Sequence, residues 1–279
     1  MSGINVSIDY ASLFDTSSSS SSSLLNTIYG DGTTTNSPSA ALAALQNAET
    51  NETKDVAAEA KTSAVARDIA TFTSAVTNAT SVQSLLSNPT VLKVLLTANG
   101  LADQIPYTAL AKKALMSDTS DSSSLANKLS NTSWASAAKA YNFYSNGLSN
   151  IQTPATIASI TNAYAETVWR NSLDSTTPGL ANALTFRSSA SAITNVDQVL
   201  GNSVLRDVVT TVLGLPLEIA LQPLEAQEKA ITTRQDLTKF KSQKYVDQYI
   251  QQYLVAKATA ATSTTTSTNP LSTITSLTA

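Results

Sequence analysis

Residues 82–101 read VQSLLSNPTVLKVLLTANGL, and this stretch decides the fold. Asn88 before Pro89 is a helix start: the Asn side chain accepts from otherwise unpaired amides, and Pro suits the first helical position. Gly100 is placed to end that helix, because glycine enters the left-handed region without steric cost. Between these marks the residues are almost all apolar, as a helix surrounded by others requires.

The same punctuation continues on both sides. Val65, Ile69, Phe72 and Val76 step by 4, 3 and 4, which lines one face of a helix. Thr153-Pro154 repeats the start signal, with Ile157, Ile160, Tyr164 and Val168 as the buried stripe, and Thr177-Pro178 repeats it again. A further helix is expected from near Ser242, carrying Val246, Tyr249, Ile250, Tyr253 and Leu254. Alternating β-type runs are scarce, so the chain reads as all-α.

The opening stretch also has a partner. Phe72 lies ten residues before Val82, and Phe186 ten before Val196. Val82-Gln83-Ser84-Leu85-Leu86-Ser87-Asn88 then matches Val196-Asp197-Gln198-Val199-Leu200-Gly201-Asn202. After a slip of one residue, Val91-Leu92-Lys93 matches Val204-Leu205-Arg206, and Thr97, Gly100 and Leu101 match Thr211, Gly214 and Leu215. Leu129 and Trp134 match Phe240 and Tyr245, each pair five apart. Two copies are too few for a solenoid. They predict two related multi-helix units packed together, residues 54–150 and 151–257, with Gly100 and Gly214 at equivalent helix ends.

Residues 1–53 and 258–279 read as low-complexity, flexible Ser/Thr-rich ends. Ser17 to Ser23 is an unbroken serine run, followed by Thr33-Thr34-Thr35. Such segments hold too little apolar surface to offset an ordering entropy of roughly 1–2 kcal/mol per residue. On this reading, removing residues 1–50 leaves the core's stability nearly unchanged. Ile4, Val6, Ile8, Tyr10, Leu13 and Phe14 form a possible short docking segment within it.

Composition narrows the chemistry. Charged residues are 13% of the 279, about half the roughly 25% usual in soluble domains, so hydroxyls and amides solvate the surface. The net charge of −3, with no long basic run, gives nothing to attract a nucleic-acid backbone. With no cysteine and no histidine, thiol nucleophiles, the usual general base and the common transition-metal ligands are missing. No G-x-S-x-G elbow occurs. The expectation is therefore no enzyme, no catalytic residue, no cofactor and no metal. Val208 to Leu221 is the most apolar stretch, but Gly214, Pro216 and Glu218 interrupt it and it is too short to span a bilayer. Met1 to Phe14 lacks a basic start and carries Asp9, unlike a secretory signal peptide. Any export would proceed without a cleaved signal.

Remaining features have plain structural readings. Asp118 or Asp121 is expected to cap a helix beginning near Ser122. Lys112-Lys113 and Lys239, Lys241 and Lys244 read as solvated helix faces suited to helix C-termini, with a patch for an acidic partner as the alternative. Trp134, Tyr141, Phe143 and Tyr144 read as an aromatic knot in one helix; Trp134 and Tyr141, seven apart, share a face and are expected to anchor the first unit's core, and Tyr249 and Tyr253, four apart, the second's.

The run Ala114 to Leu129 (ALMSDTSDSSSLANKL), with Trp134, Ala140 and Phe143 after it, resembles the bacterial family known as domain of unknown function 1217. Leu85 to Leu101 looks like that family's opening motif, and Val196 to Pro216 is similar to its closing half; together the resemblance covers about residues 68–256. The chain departs from the family at Asn99, where an aromatic is usual, and at Asn131 and Ser133-Trp134. Members occur mainly in alphaproteobacteria, often beside flagellar genes. The resemblance thus implies a flagellum-associated structural or assembly role through protein partners, and no activity or catalytic residue to carry over. The alternative expectation is an exported cell-surface or matrix protein unrelated to motility, with a cytoplasmic location also open.

Overall fold

The computed structural model describes residues 37–266. The serine run, the candidate docking segment at residues 4–14 and residues 267–279 lie outside that range. The described residues form α-helices joined by short 3-10 turns and loops, with no strand among them. The first unit runs α1 (Pro38–Glu59), α2 (Ser63–Thr77), α3 (Val82–Ser87), α4 (Pro89–Ala98), α5 (Thr108–Leu115), α6 (Leu125–Lys128), α7 (Ser133–Tyr141) and α8 (Phe143–Asn146). α9 (Pro154–Leu173) leads into α10 (Leu180–Ser189), α11 (Val196–Gly201), α12 (Ser203–Val212), α13 (Leu224–Thr232) and α14 (Gln243–Thr266).

The internal repeat is visible at atomic detail. Asn88 Oδ1 accepts from the amides of Thr90 and Val91, and Asn202 Oδ1 accepts from those of Val204 and Leu205. Helices α4 and α12 are both ten residues long. Both close alike: Gly100 and Gly214 adopt φ of +68° and +61°. The Leu101 amide then donates back to Leu96 O and that of Leu215 to Thr210 O, the backward bond that closes a Schellman end. Phe72 on α2 and Phe186 on α10, each two helices before this motif, are fully buried. Burying a side chain of that size stabilises the fold by about 1.5–3 kcal/mol.

Each unit has its own core. Phe72, Leu86, Leu95, Trp134 and Tyr141 belong to the first, and Phe186, Val208, Phe240, Tyr249 and Tyr253 to the second. The division at residues 150 and 151 is not, however, a packing boundary. Ile160 and Tyr164 of α9 are buried in the first core, whereas Trp169 of the same helix is buried in the second. α9 packs on α4 and α2, as α14 packs on α12 and α10. In the first unit the chain breaks after α7, at Asn142 with φ of 46°, so α7 and α9 divide what α14 does as one rod.

The composition-based reading of the ends is corrected at both boundaries. Residues 38–53 lie within α1, with Ala41, Leu45 and Ala48 buried in the second core. Val56 reaches both cores. α1 starts as α4 and α9 do, Ser37 Oγ accepting from the Ala40 amide and Pro38 following. At the other end, α14 continues to Thr266 and Ala258 is buried. Two helix starts also differ from expectation. α10 begins at Leu180 rather than Pro178, because Gly179 has φ of +89°, and the Ala181 amide is capped by Asp174 Oδ1 at 2.8 Å. Asp118 and Asp121 each accept from the amide two residues on, forming two successive side-chain turns; neither caps α6, whose N-cap is Ser124.

Candidate interaction surface

Two partly buried polar networks link neighbouring helices. In the first unit Asp68 Oδ2 (α2) accepts from Tyr164 OH and Lys93 Nζ, both at 2.6 Å. In the second, Asp207 Oδ2 (α12) accepts from Tyr253 OH at 2.5 Å and Asn182 Nδ2 at 2.9 Å, and its Oδ1 from Lys257 Nζ at 2.9 Å. The carboxylate has changed helix between copies while the Tyr–Asp–Lys arrangement has been kept. Burial pushes both carboxyls up, but these donors outweigh it and hold Asp68 and Asp207 below the ordinary value. Asp68 thus takes two donors and Asp207 three, and each set ties helices together.

The expected features fall into place around these cores. Trp134, Tyr141, Phe143, Tyr249 and Tyr253 are buried, whereas Tyr144 is 63% exposed and anchors no core. Asn99, where the family favours an aromatic, donates from Nδ2 to Tyr141 OH, so the polar residue is used. Lys112 Nζ donates to Ser87 Oγ, Lys241 Nζ to Ser191 O, and Lys239 Nζ sits 5.7 Å from the Tyr245 ring centroid. Among the described residues, no group of three or more Asp or Glu side chains is placed to hold a metal ion, and no helix is long and apolar enough to cross a membrane.

Two clefts were not foreseen. One of about 430 Å³ lies where the two units meet, lined by neutral groups including Asn99, Ser133, Ser136, Gln198 and Asn202. The other, of about 440 Å³, is lined by Glu52, Arg170, Arg187 and Gln243. Both of its arginines are engaged by carboxylates: Arg170 by Glu52 and Glu166, Arg187 by Glu49 and Asp247.

The most unusual surface is a ridge between α12 and α13. Leu217, Leu221 and Leu224 are 89%, 86% and 53% exposed. Large apolar side chains exposed singly are normal; three of them between positions 217 and 224 are a denser exposure than that. The ridge is braced: Pro216 and Pro223 bracket the 3-10 turn Leu217–Leu221, and Gln227 Nε2 donates to Gln222 O at 2.7 Å. Acidic residues flank it. Glu225 and Glu228 follow Leu224 on α13, and Glu218 sits in the turn. The Glu228 carboxyl is held above its usual range, first by desolvation and then by Asp197 and Glu225. Pro216 and Pro223 on either side of Leu217 and Leu221 were the available sequence signal, but apolar type alone does not tell an exposed leucine from a buried one.

A two-unit, all-α body with two independent cores and a braced apolar ridge is the class this architecture defines. The protein belongs to the family described as protein of unknown function (DUF1217), which matches residues 98–246, just over half of the chain. Its fold is similar to that of an Agrobacterium tumefaciens protein solved by X-ray crystallography in a structural genomics programme. That similarity has a TM-score of 0.67 at 20% identity and covers 77% of this chain and 91% of the other. No curated protein matches the chain.

Proposed function

We propose that this protein is a non-enzymatic, flagellum-associated structural or assembly factor that works by binding other proteins through the ridge at Leu217, Leu221 and Leu224. The observation that carries the binding role is the exposure of these three leucines on a braced turn. A rigid apolar ridge loses little conformational entropy when a partner covers it. The non-enzymatic reading is supported by a chain without histidine or cysteine and by acidic groups that are already paired in the cores. The flagellar setting rests on the resemblance carried by residues 68–256.

Deleting the gene, then scoring swimming and counting filaments by electron microscopy, tests the setting. Loss of motility is expected, restored by the wild-type gene and not by a Leu217→Ser/Leu221→Ser variant. Normal swimming and normal filaments after deletion would overturn the flagellar assignment. Full rescue by the double variant would overturn the ridge as the contact. The weakly charged, hydroxyl- and amide-rich composition favours a second reading, an exported surface or matrix protein, which predicts the protein in the extracellular fraction of non-motile cells.

A further inference from the structure

In chain order each unit follows its glycine-ended helix with a 3-10 turn and then a helix: Ala102–Gln104 with α5, and Leu217–Leu221 with α13. Their registers can be matched by the helix N-caps, Tyr107 and Pro223. Eight residues beyond each N-cap stands a buried anchor, Leu115 or Ile231, each 1% exposed. Five residues beyond stand Lys112 and Glu228. At the same distance from the N-cap, the two helices carry charges of opposite sign.

The surroundings extend that contrast. On the first, Tyr107 at the N-cap is 60% exposed and Lys112 and Lys113 follow in the last turn of α5; Asp103 is the acidic member and takes a hydrogen bond from Gln104. The second face carries Glu218, Glu225 and Glu228 beside the leucine ridge, with Lys229 its basic member. Lys113, Glu218 and Glu225 make no ion pair with any described residue. Each face therefore offers an apolar centre, and the excess charges on the two are opposite.

From this complementarity we infer that the acidic leucine ridge of one copy docks on the Tyr107–Lys112–Lys113 face of a second copy. The inference rests on the ridge being a protein-binding surface and names its occupant. The contact is head-to-tail: it joins two different patches, so every added copy leaves one ridge and one basic face free. Such heterologous contacts propagate into open chains, or into rings where the rotation closes. Opposite charges set the register and speed encounter, while the leucines and the tyrosine supply the apolar area.

Sedimentation velocity on the full-length protein tests this. The average mass should rise with concentration and fall back in high salt, where the charge contribution is screened. Leu217→Ser/Leu221→Ser should remain monomeric at every concentration, with an unchanged helical circular dichroism spectrum. So should Lys112→Glu/Lys113→Glu and Glu225→Lys/Glu228→Lys, each measured alone. Mixing those two charge-reversed proteins should restore assembly, because each ridge then meets a face of opposite sign. A wild-type protein that stays monomeric throughout, or a mixture that fails to assemble, would overturn the inference. If the wild type is monomeric but Leu217→Ser/Leu221→Ser still fails to rescue motility, the self-docking is wrong and the ridge serves another protein.

Discussion

Gly201, the last residue of α11, lies against the backbone of Ser130 in the other unit: a Cβ at position 201 would stand 2.2 Å from the Ser130 carbonyl oxygen. The matching residue of the first copy is Ser87, whose hydroxyl donates to Gln83 O and accepts from Lys112. The repeats are therefore alike within themselves and differ where they touch. Gly201→Ala must push the units apart, and overpacking of this kind costs about 1–3 kcal/mol. Chemical denaturation should show that loss, and an unchanged midpoint would mean the units are not pressed together at this point.

The position of α1 reverses the expectation drawn from composition. Deleting residues 1–50 removes Ala41, Leu45 and Ala48 from the second core, together with the Glu49–Arg187 ion pair. The thermal midpoint should fall by many degrees. Leu45→Ala alone should cost about 2–5 kcal/mol, as burial and cavity terms combine. Glu49→Gln should cost much less, because a half-exposed ion pair adds little. A midpoint unmoved by the deletion would show that α1 is dispensable.

Acid should act through Asp68 and Asp207. Their folded-state pKa values lie below the ordinary value of 3.8, so on acidification the unfolded chain binds protons first. The stability these carboxylates contribute is present above that value and is lost as pH falls through it. Glu49 and Asp174 are raised, mainly by burial, and work in the opposite sense at higher pH. Asp207→Asn should be less stable than wild type at neutral pH, with the gap narrowing as pH falls below about 3.8. A gap independent of pH would show that Asp207 contributes through packing alone.

Tyr249 offers a substitution in the other direction. Its hydroxyl is buried without a hydrogen-bond partner, while its ring stacks on Phe186 at 5.6 Å and meets Phe240 edge-on at 5.1 Å. Tyr249→Phe keeps the ring contacts and removes an unsatisfied polar atom. Stability should stay the same or rise by up to about 1 kcal/mol. A clear loss would mean that the hydroxyl has a partner.

Much of the fold could be read residue by residue. The Asn88-Pro89 and Thr153-Pro154 starts, and the Gly100 and Gly214 ends, are found as expected. Ser37-Pro38 carries the same start signal as Asn88-Pro89, and Ala41, Leu45 and Ala48 follow with helical spacing. The serine and threonine run before them concealed it, and two of its three buried residues are alanines with weak hydropathy. Thr177-Pro178 misled for a local reason: Gly179 intervenes in the left-handed region, so the helix starts beyond it. For the candidate surface the sequence was a poor guide. Leu217, Leu221 and Leu224 are indistinguishable by type from the core leucines Leu86, Leu95 and Leu96.

Helix class, helix ends and the duplication were determined by the sequence itself, because caps, left-handed glycines and 3.6-residue periodicity act over a few neighbouring residues. Which helix covers which face was decided only by the tertiary structure. Burial depends on partners distant in the chain: α1 buries Ala41, Leu45 and Ala48 in the second core while its Val56 touches both, and α9 is shared between both. The leucine ridge at α13 is left in water because no described helix crosses it. A leucine carries the same side chain in either place, and only the packing around it determines whether it holds the fold together or meets a partner.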